Sequence, residues 1–339
     1  MMRTVVLCPG RGSYGRDSLG SLQGLNSPRL DVLDAFRAQL GRPTVREMDA
    51  ADKYRSALHV KGENASILTA GATLADLDQV DSSKVQTVGV IGNSMGWYTA
   101  LGVSGALPLE HAAHLIETLA QYQAGNIQGG QIIYPCVDVQ WRLDRELLAL
   151  VEGVVAEIPD LHWSIRLGGQ AVLGGTEEAL SLATEHLGAL ERGKHTFPLR
   201  LPMHSAFHTP LMGDTAERAW AELADLDWRA PDVPLVDGTG RVWRPHHADP
   251  DGIRDYTLGA QLTDAFQLTT CIRTALRTLA PDAVLLPGPG SNLGSAVAQT
   301  MISEGWQGLT CQDDFIARQK TDPVLISMRW PDQRSRVVA

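Results

Sequence analysis

The stretch VGVIGNSMGWYTALGV, residues 88–103, decides how the chain is to be read. A β-branched apolar run, Val88 to Ile91, meets Gly-Asn-Ser-Met-Gly and then a segment compatible with a helix. A serine between two glycines at a strand-to-helix corner is held on a sharp turn that exposes its hydroxyl. Such a hydroxyl can attack a carbonyl if a base removes its proton. The competing reading is a tight turn that happens to contain serine, and the remainder of the chain has to discriminate.

The 339 residues are 44% apolar and 20% charged, ordinary values for a globular chain with one large domain and a smaller one. A formal net charge of −10 argues against a nucleic-acid binder, whose surface needs a basic surplus. Cys8, Cys136, Cys271 and Cys311 form no Cys-x-x-Cys pair, so neither a zinc site nor a disulfide framework is expected. The apolar run in MMRTVVLCPGRG is too short for a signal-peptide core. No run approaches a membrane span. The expectation is a soluble cytoplasmic monomer that binds neither membrane nor nucleic acid.

Outward from the elbow, TVVLC (4–8) reads as a buried strand entering a glycine-rich loop, and VQTVGVIG (85–92) as a second. Residues 28–40 and 66–77 look helical, and Pro108 opens another helix with Leu115, Leu119 and Tyr122 on its inward face. Beyond the glycine-rich joint AGNIQGGQ, the pattern strand-helix-strand-strand-helix predicts a compact inserted α+β subdomain over 126–194. Alternating strands and helices on either side of it, 1–125 and 195–311, imply a mostly parallel sheet covered on both faces. Residues 312–339 read as a polar C-terminal extension, helical at first and frayed at its end.

GRGSYG (10–15) satisfies Gly-x-Gly-x-x-Gly after a strand, yet LQGLNSPRLDVLDAF supplies no second strand ending in an acid, so a dinucleotide site is disfavoured. The N–H groups of such a loop can instead face a developing oxyanion. His208, in HSAFHTPLM, is a candidate base. His204 and His208 are four apart, but Pro202 and Pro210 bracket them and no third ligand is evident, which discounts zinc. His246 and His247, in a polar loop, read as solvated.

In order along the chain, PGRGSY (9–14), GNSMGW (92–97), HSAFHTPLM (204–212), QLTDAFQL (261–268) and PGPGSNL (287–293) resemble the motifs of malonyl-CoA:acyl carrier protein transacylases and the acyltransferase domains of polyketide and fatty-acid synthases. The resemblance spans roughly residues 4–300. It implies an α/β-hydrolase-like core with a ferredoxin-like insertion. It also implies Ser94 as nucleophile, His208 as base and later acid, and the N–H groups of Arg11 and Met95 as the oxyanion hole, with Gln261 at the place of a group orienting the histidine. The implied reaction is ping-pong acyl transfer between thioesters in fatty-acid or polyketide biosynthesis. Acyl-CoA and phosphopantetheinylated acyl carrier protein would be the substrates, with no bound cofactor.

Departures cluster at the pocket. The arginine that holds malonyl carboxylate in the family corresponds here to Leu119, and a carboxylate buried against leucine would lack a partner. The acyl group is therefore expected to be uncharged, or Arg11 or Arg166 to supply the cation. Asn64, Asn93 and Trp97 replace other pocket residues of the family, and Phe207 before the histidine points to a substrate without an α-branch. An acyl hydrolase acting on carrier-bound thioesters is the rival reading, since relatives lacking the arginine include such enzymes; a scaffold with a degenerate site is a third. Arg192, Lys194 and Arg200 are the candidate patch for an acidic carrier protein.

Overall fold

A computed structural model describes residues 1–124 and 127–339. Gly125, part of the expected joint, and the expected boundary at 125/126 lie outside the described residues. The strands are β1 Met2–Cys8, β2 Val85–Gly92, β3 Gly130–Pro135, β4 Leu161–Leu167, β5 Gln170–Gly175, β6 Leu190–Arg192, β7 His195–Phe197, β8 Leu199–Leu201, β9 Leu235–Val236, β10 Val242–Trp243, β11 Ala283–Leu286 and β12 Leu325–Ser327.

Six of them form one sheet in the order β10-β9-β2-β1-β11-β12, parallel except for β10. Its middle strand is apolar on both sides because both faces are covered. Val6 and Cys8 pack with Ile67, Trp97 and Leu101 on one face, while Val5 and Leu7 pack with Ile272, Val297 and Met301 on the other. Parallel pairing sets Cys8 opposite Gly92, so the loop after β1 and the elbow after β2 emerge side by side at the strands' carboxyl ends. Gly96 is what permits this approach: a Cβ there would stand 2.1 Å from the Cys8 carbonyl oxygen.

A second sheet, ordered β4-β5-β3-β8, is antiparallel throughout and carries the helices Arg145–Glu157 and Glu177–Leu187. That arrangement is ferredoxin-like. Its fourth strand lies beyond Lys194, where the insert was expected to end, and β6 and β7 form a separate two-stranded hairpin. The second sheet is tied to the segment before the helix Leu268–Leu279: the Arg166 N–H donates to the Phe266 carbonyl, and the Phe266 N–H to the Ser164 carbonyl.

One expectation fails. After the helix Gln312–Thr321 the chain does not fray. Leu325–Ser327 is buried as the edge strand β12 beside β11, and Val338 forms a bridge with Val80. The apolar residues Val324, Leu325, Ile326 and Met328 gain more by burial than the flanking charges lose by being held at the surface. Among the described residues no helix is long and apolar enough to cross a membrane.

Candidate active site

Ser94 occupies the corner between β2 and the helix Gly96–Ser104 with φ of 54°, a left-handed conformation that a non-glycine residue adopts only where its surroundings enforce it. The turn is locked by the Gly96 N–H donating to the Asn93 carbonyl and the Trp97 N–H donating to the Ser94 carbonyl. His208 also has positive φ, 59°, and its own N–H donates to the Leu262 carbonyl. These two constrained turns bring Ser94 Oγ within 2.7 Å of His208 Nε2.

On the far side of the imidazole, Nδ1 lies 2.7 Å from the main-chain carbonyl of Gln261. A carbonyl can only accept, so Nδ1 carries the proton and Nε2 presents its lone pair to the serine hydroxyl. Gln261 acts a second time through its side chain, whose Nε2 donates to the Ser94 carbonyl at 3.2 Å while its Oε1 accepts from Tyr98 Oη at 2.6 Å. Gln261 is buried behind the pair and positions both. Tyr98 was not foreseen, although its place one helical turn after Ser94 was a usable signal. Burial holds the His208 imidazole down at about 4, opposed by its bond to the Gln261 carbonyl. The imidazole is neutral at neutral pH.

Ser94 and His208 open into a cavity of about 510 Å³ whose wall is mostly apolar, including Ile116, Leu119, Ile133, Val172 and Met212. Arg11 and Met95 line the same cavity, and among the described residues neither main-chain N–H has a protein acceptor. The Arg11 side chain is partly buried at the cavity wall. Its guanidinium is 5.0 Å from the Phe207 ring centroid, and Nη2 donates to the Met203 carbonyl at 2.7 Å. Burial lowers Arg11 to about 10. His204, also in the wall, is pushed down to about 3 by burial and by the neighbouring Arg11. Asn93 lines the cavity with a buried Oδ1 that has no partner among the described residues.

Three residues expected in the pocket stand elsewhere. Asn64 accepts from the buried Arg37 at 2.8 Å and donates to the Leu58 carbonyl, a structural tie between helices. Trp97 points away from the cavity, its Nε1–H donating to Thr257 Oγ1 at 2.9 Å and its ring edge-on to Tyr256. Arg166 stacks on Trp163 at 3.7 Å and pairs with Glu152 at the surface. Leu119 and Phe207 do line the wall. Among the described residues no group of three or more His, Cys, Asp and Glu is placed to hold a metal ion.

No family model matches the chain. Among curated proteins, malonyl CoA-acyl carrier protein transacylase of Bacillus subtilis is 27% identical over 175 residues, which is 51% of this chain and 53% of that protein. The polyketide synthase Pks15/1 of phenolphthiocerol synthesis in Mycobacterium marinum is 26% identical over 309 residues, 88% of this chain but 14% of that one. The chain thus spans about half or less of the length of these relatives. Among solved structures, the acyl-carrier-protein S-malonyltransferase of Burkholderia pseudomallei superposes with a TM-score of 0.74 at 21% identity, covering 98% of each chain. The chain is a homologue of the malonyl-CoA:acyl carrier protein transacylases and of polyketide synthase acyltransferase domains, and it has their fold.

Proposed function

We propose that this protein is an acyltransferase that moves an acyl group between thioesters through an acyl-Ser94 intermediate, delivering it to an acyl carrier protein in fatty-acid or polyketide synthesis. The observation that carries this reading is the 2.7 Å contact between Ser94 Oγ and a buried, neutral His208, opening into a cavity able to hold an acyl group. In the first half-reaction Ser94 Oγ attacks the thioester carbonyl and His208 Nε2 takes its proton. The Arg11 and Met95 N–H groups donate to the resulting oxyanion. Collapse breaks the carbon–sulfur bond, and His208 returns the proton to the departing thiolate. A carrier-protein thiol then repeats the steps in reverse. The imidazolium formed on the way is steadied by the Gln261 carbonyl, so no carboxylate is required beside it.

Intact-protein mass spectrometry after exposure to acyl-CoA thioesters tests the reading. An adduct on Ser94 is expected, absent in Ser94→Ala and His208→Ala, and discharged onto phosphopantetheinylated carrier protein. Absence of any adduct would overturn it. Free acid released without an acceptor thiol would instead identify a hydrolase built on the same pair.

A further inference from the structure

His208 meets Ser94 from a backbone held at a φ of 59°, and that angle turns with the peptide unit joining Phe207 to His208. Both polar atoms of this peptide are held, each by a different part of the fold. Its N–H donates to the Leu262 carbonyl, next to the Gln261 carbonyl that accepts from the imidazole. Its carbonyl oxygen is 2.8 Å from Ser164 Oγ, on β4 of the antiparallel sheet. Gln131 Nε2, on β3, stands 2.5 Å from the same hydroxyl and 3.5 Å from the same carbonyl.

The direction of these bonds is fixed. The Phe207 carbonyl only accepts and the Ser164 hydroxyl has one proton, so Ser164 donates to Phe207 and accepts from the Gln131 amide. Ser164 is wholly buried and Gln131 is 2% exposed. Burying a hydroxyl and an amide is unfavourable unless they are bonded, and these two converge on one carbonyl.

We propose that Ser164, backed by Gln131, is a positioning residue that clamps the Phe207–His208 peptide and so keeps the imidazole on Ser94. Its kinetic consequence rests on the acyl-serine reading, whereas the geometry it fixes belongs to the free protein. Without the Ser164 hydroxyl the peptide is tied at its N–H alone, and a non-glycine residue released from restraint leaves positive φ. Gln131 lines the cavity but Ser164 does not, so Ser164 reaches the substrate only through His208.

The test compares the wild type with Ser164→Ala and with Ser164→Thr, which keeps the hydroxyl. Acylation of Ser94 by malonyl- and acetyl-coenzyme A gives a maximal rate and a half-saturating concentration. Proton NMR of the free protein gives the downfield resonance of the His208 Nδ1–H, identified by its loss in His208→Ala. In Ser164→Ala the maximal rate is expected to fall about tenfold, with half-saturation kept within about twofold. The resonance is expected to shift or broaden, and Ser164→Thr to retain most of the rate and the resonance. An unchanged rate in folded Ser164→Ala overturns the proposal. So does a loss confined to half-saturation, or a fall in rate with the resonance unmoved. If the denaturant midpoint shows that Ser164→Ala does not fold, Gln131→Met removes the backing amide instead. A several-fold fall in rate with the same change of resonance is then expected, and the absence of both refutes the clamp. A wild type acylated by neither thioester would sink the acyl-serine reading, and the resonance alone would then decide the clamp.

Discussion

In the proposed mechanism His208 serves as a base because it is dry. With its imidazole held at about 4 instead of the ordinary value near 6.5, the neutral form persists well into acid. Ser94 acylation is therefore expected to keep its kcat/KM from pH 7 to about 5 and to fall below about 4 as one proton is taken up. A midpoint near 6.5 would show a solvated ring. The same burial has a cost in stability with a definite sign. Between about 6.5 and 4 the unfolded chain binds a proton that the folded chain refuses, so stability falls as pH falls through that window. At this scale the meeting of Ser94 and His208 was legible, because the chemistry of a glycine-flanked serine and a distant histidine narrows the choices. The second sphere was less so. Asn64 and Trp97 could be aligned with pocket residues, but alignment does not report rotamers, and Arg37 and Thr257 turned them elsewhere.

Between elements, a buried ion pair joins the helix Pro28–Gln39 to the helix Leu109–Tyr122. Glu117 accepts from Arg37, at 2.5 Å, and from Arg42, also at 2.5 Å, and the Arg37 and Glu117 side chains are 1% and 3% exposed. Glu117→Ala would leave Arg37 buried without a counter-charge, and a loss of about 3–5 kcal/mol is expected from the denaturant midpoint. Replacing Arg37 and Glu117 together by methionine and leucine is expected to recover much of that loss. Similar values for single and double variants would show that the pair is not the tie. The strand–elbow–helix units were readable because β1, β2 and β11 are long or apolar enough to declare themselves. Two- and three-residue strands such as β9, β10 and β12 carry too few residues for any period to show, and only pairing in space defines them.

Across the molecule, the hairpin of β6 and β7 lifts Lys194 into solvent beyond Gly193, whose φ is 60°, and β8 then runs to the cavity wall at Leu201. Arg200, on β8, pairs with Glu177, which leaves Lys194 and Arg192 as the better candidates to meet an acidic carrier. Reversing charge in Arg192→Glu and Lys194→Glu is expected to lower kcat/KM for transfer to the carrier several-fold and to flatten its dependence on salt. Acylation by coenzyme A thioesters should be unmoved. An equal effect on both half-reactions would count against the hairpin. The overall plan of a parallel layer with an inserted antiparallel one was visible in the rhythm of elements. The C-terminal strand was not, because its few apolar residues stand among charges.

The two sheets divide their labour at the cavity. Ser94 and the Arg11 loop hang from the ends of β2 and β1, whereas Ile133, Ile165, Leu167, Val172 and Leu201 of the wall come from β3, β4, β5 and β8. Much of the wall can therefore be recut by changes on one layer while the bond-making atoms stay fixed on the other. Descent with modification would find new cargoes for this scaffold cheaply, and the chemistry would outlast any particular load.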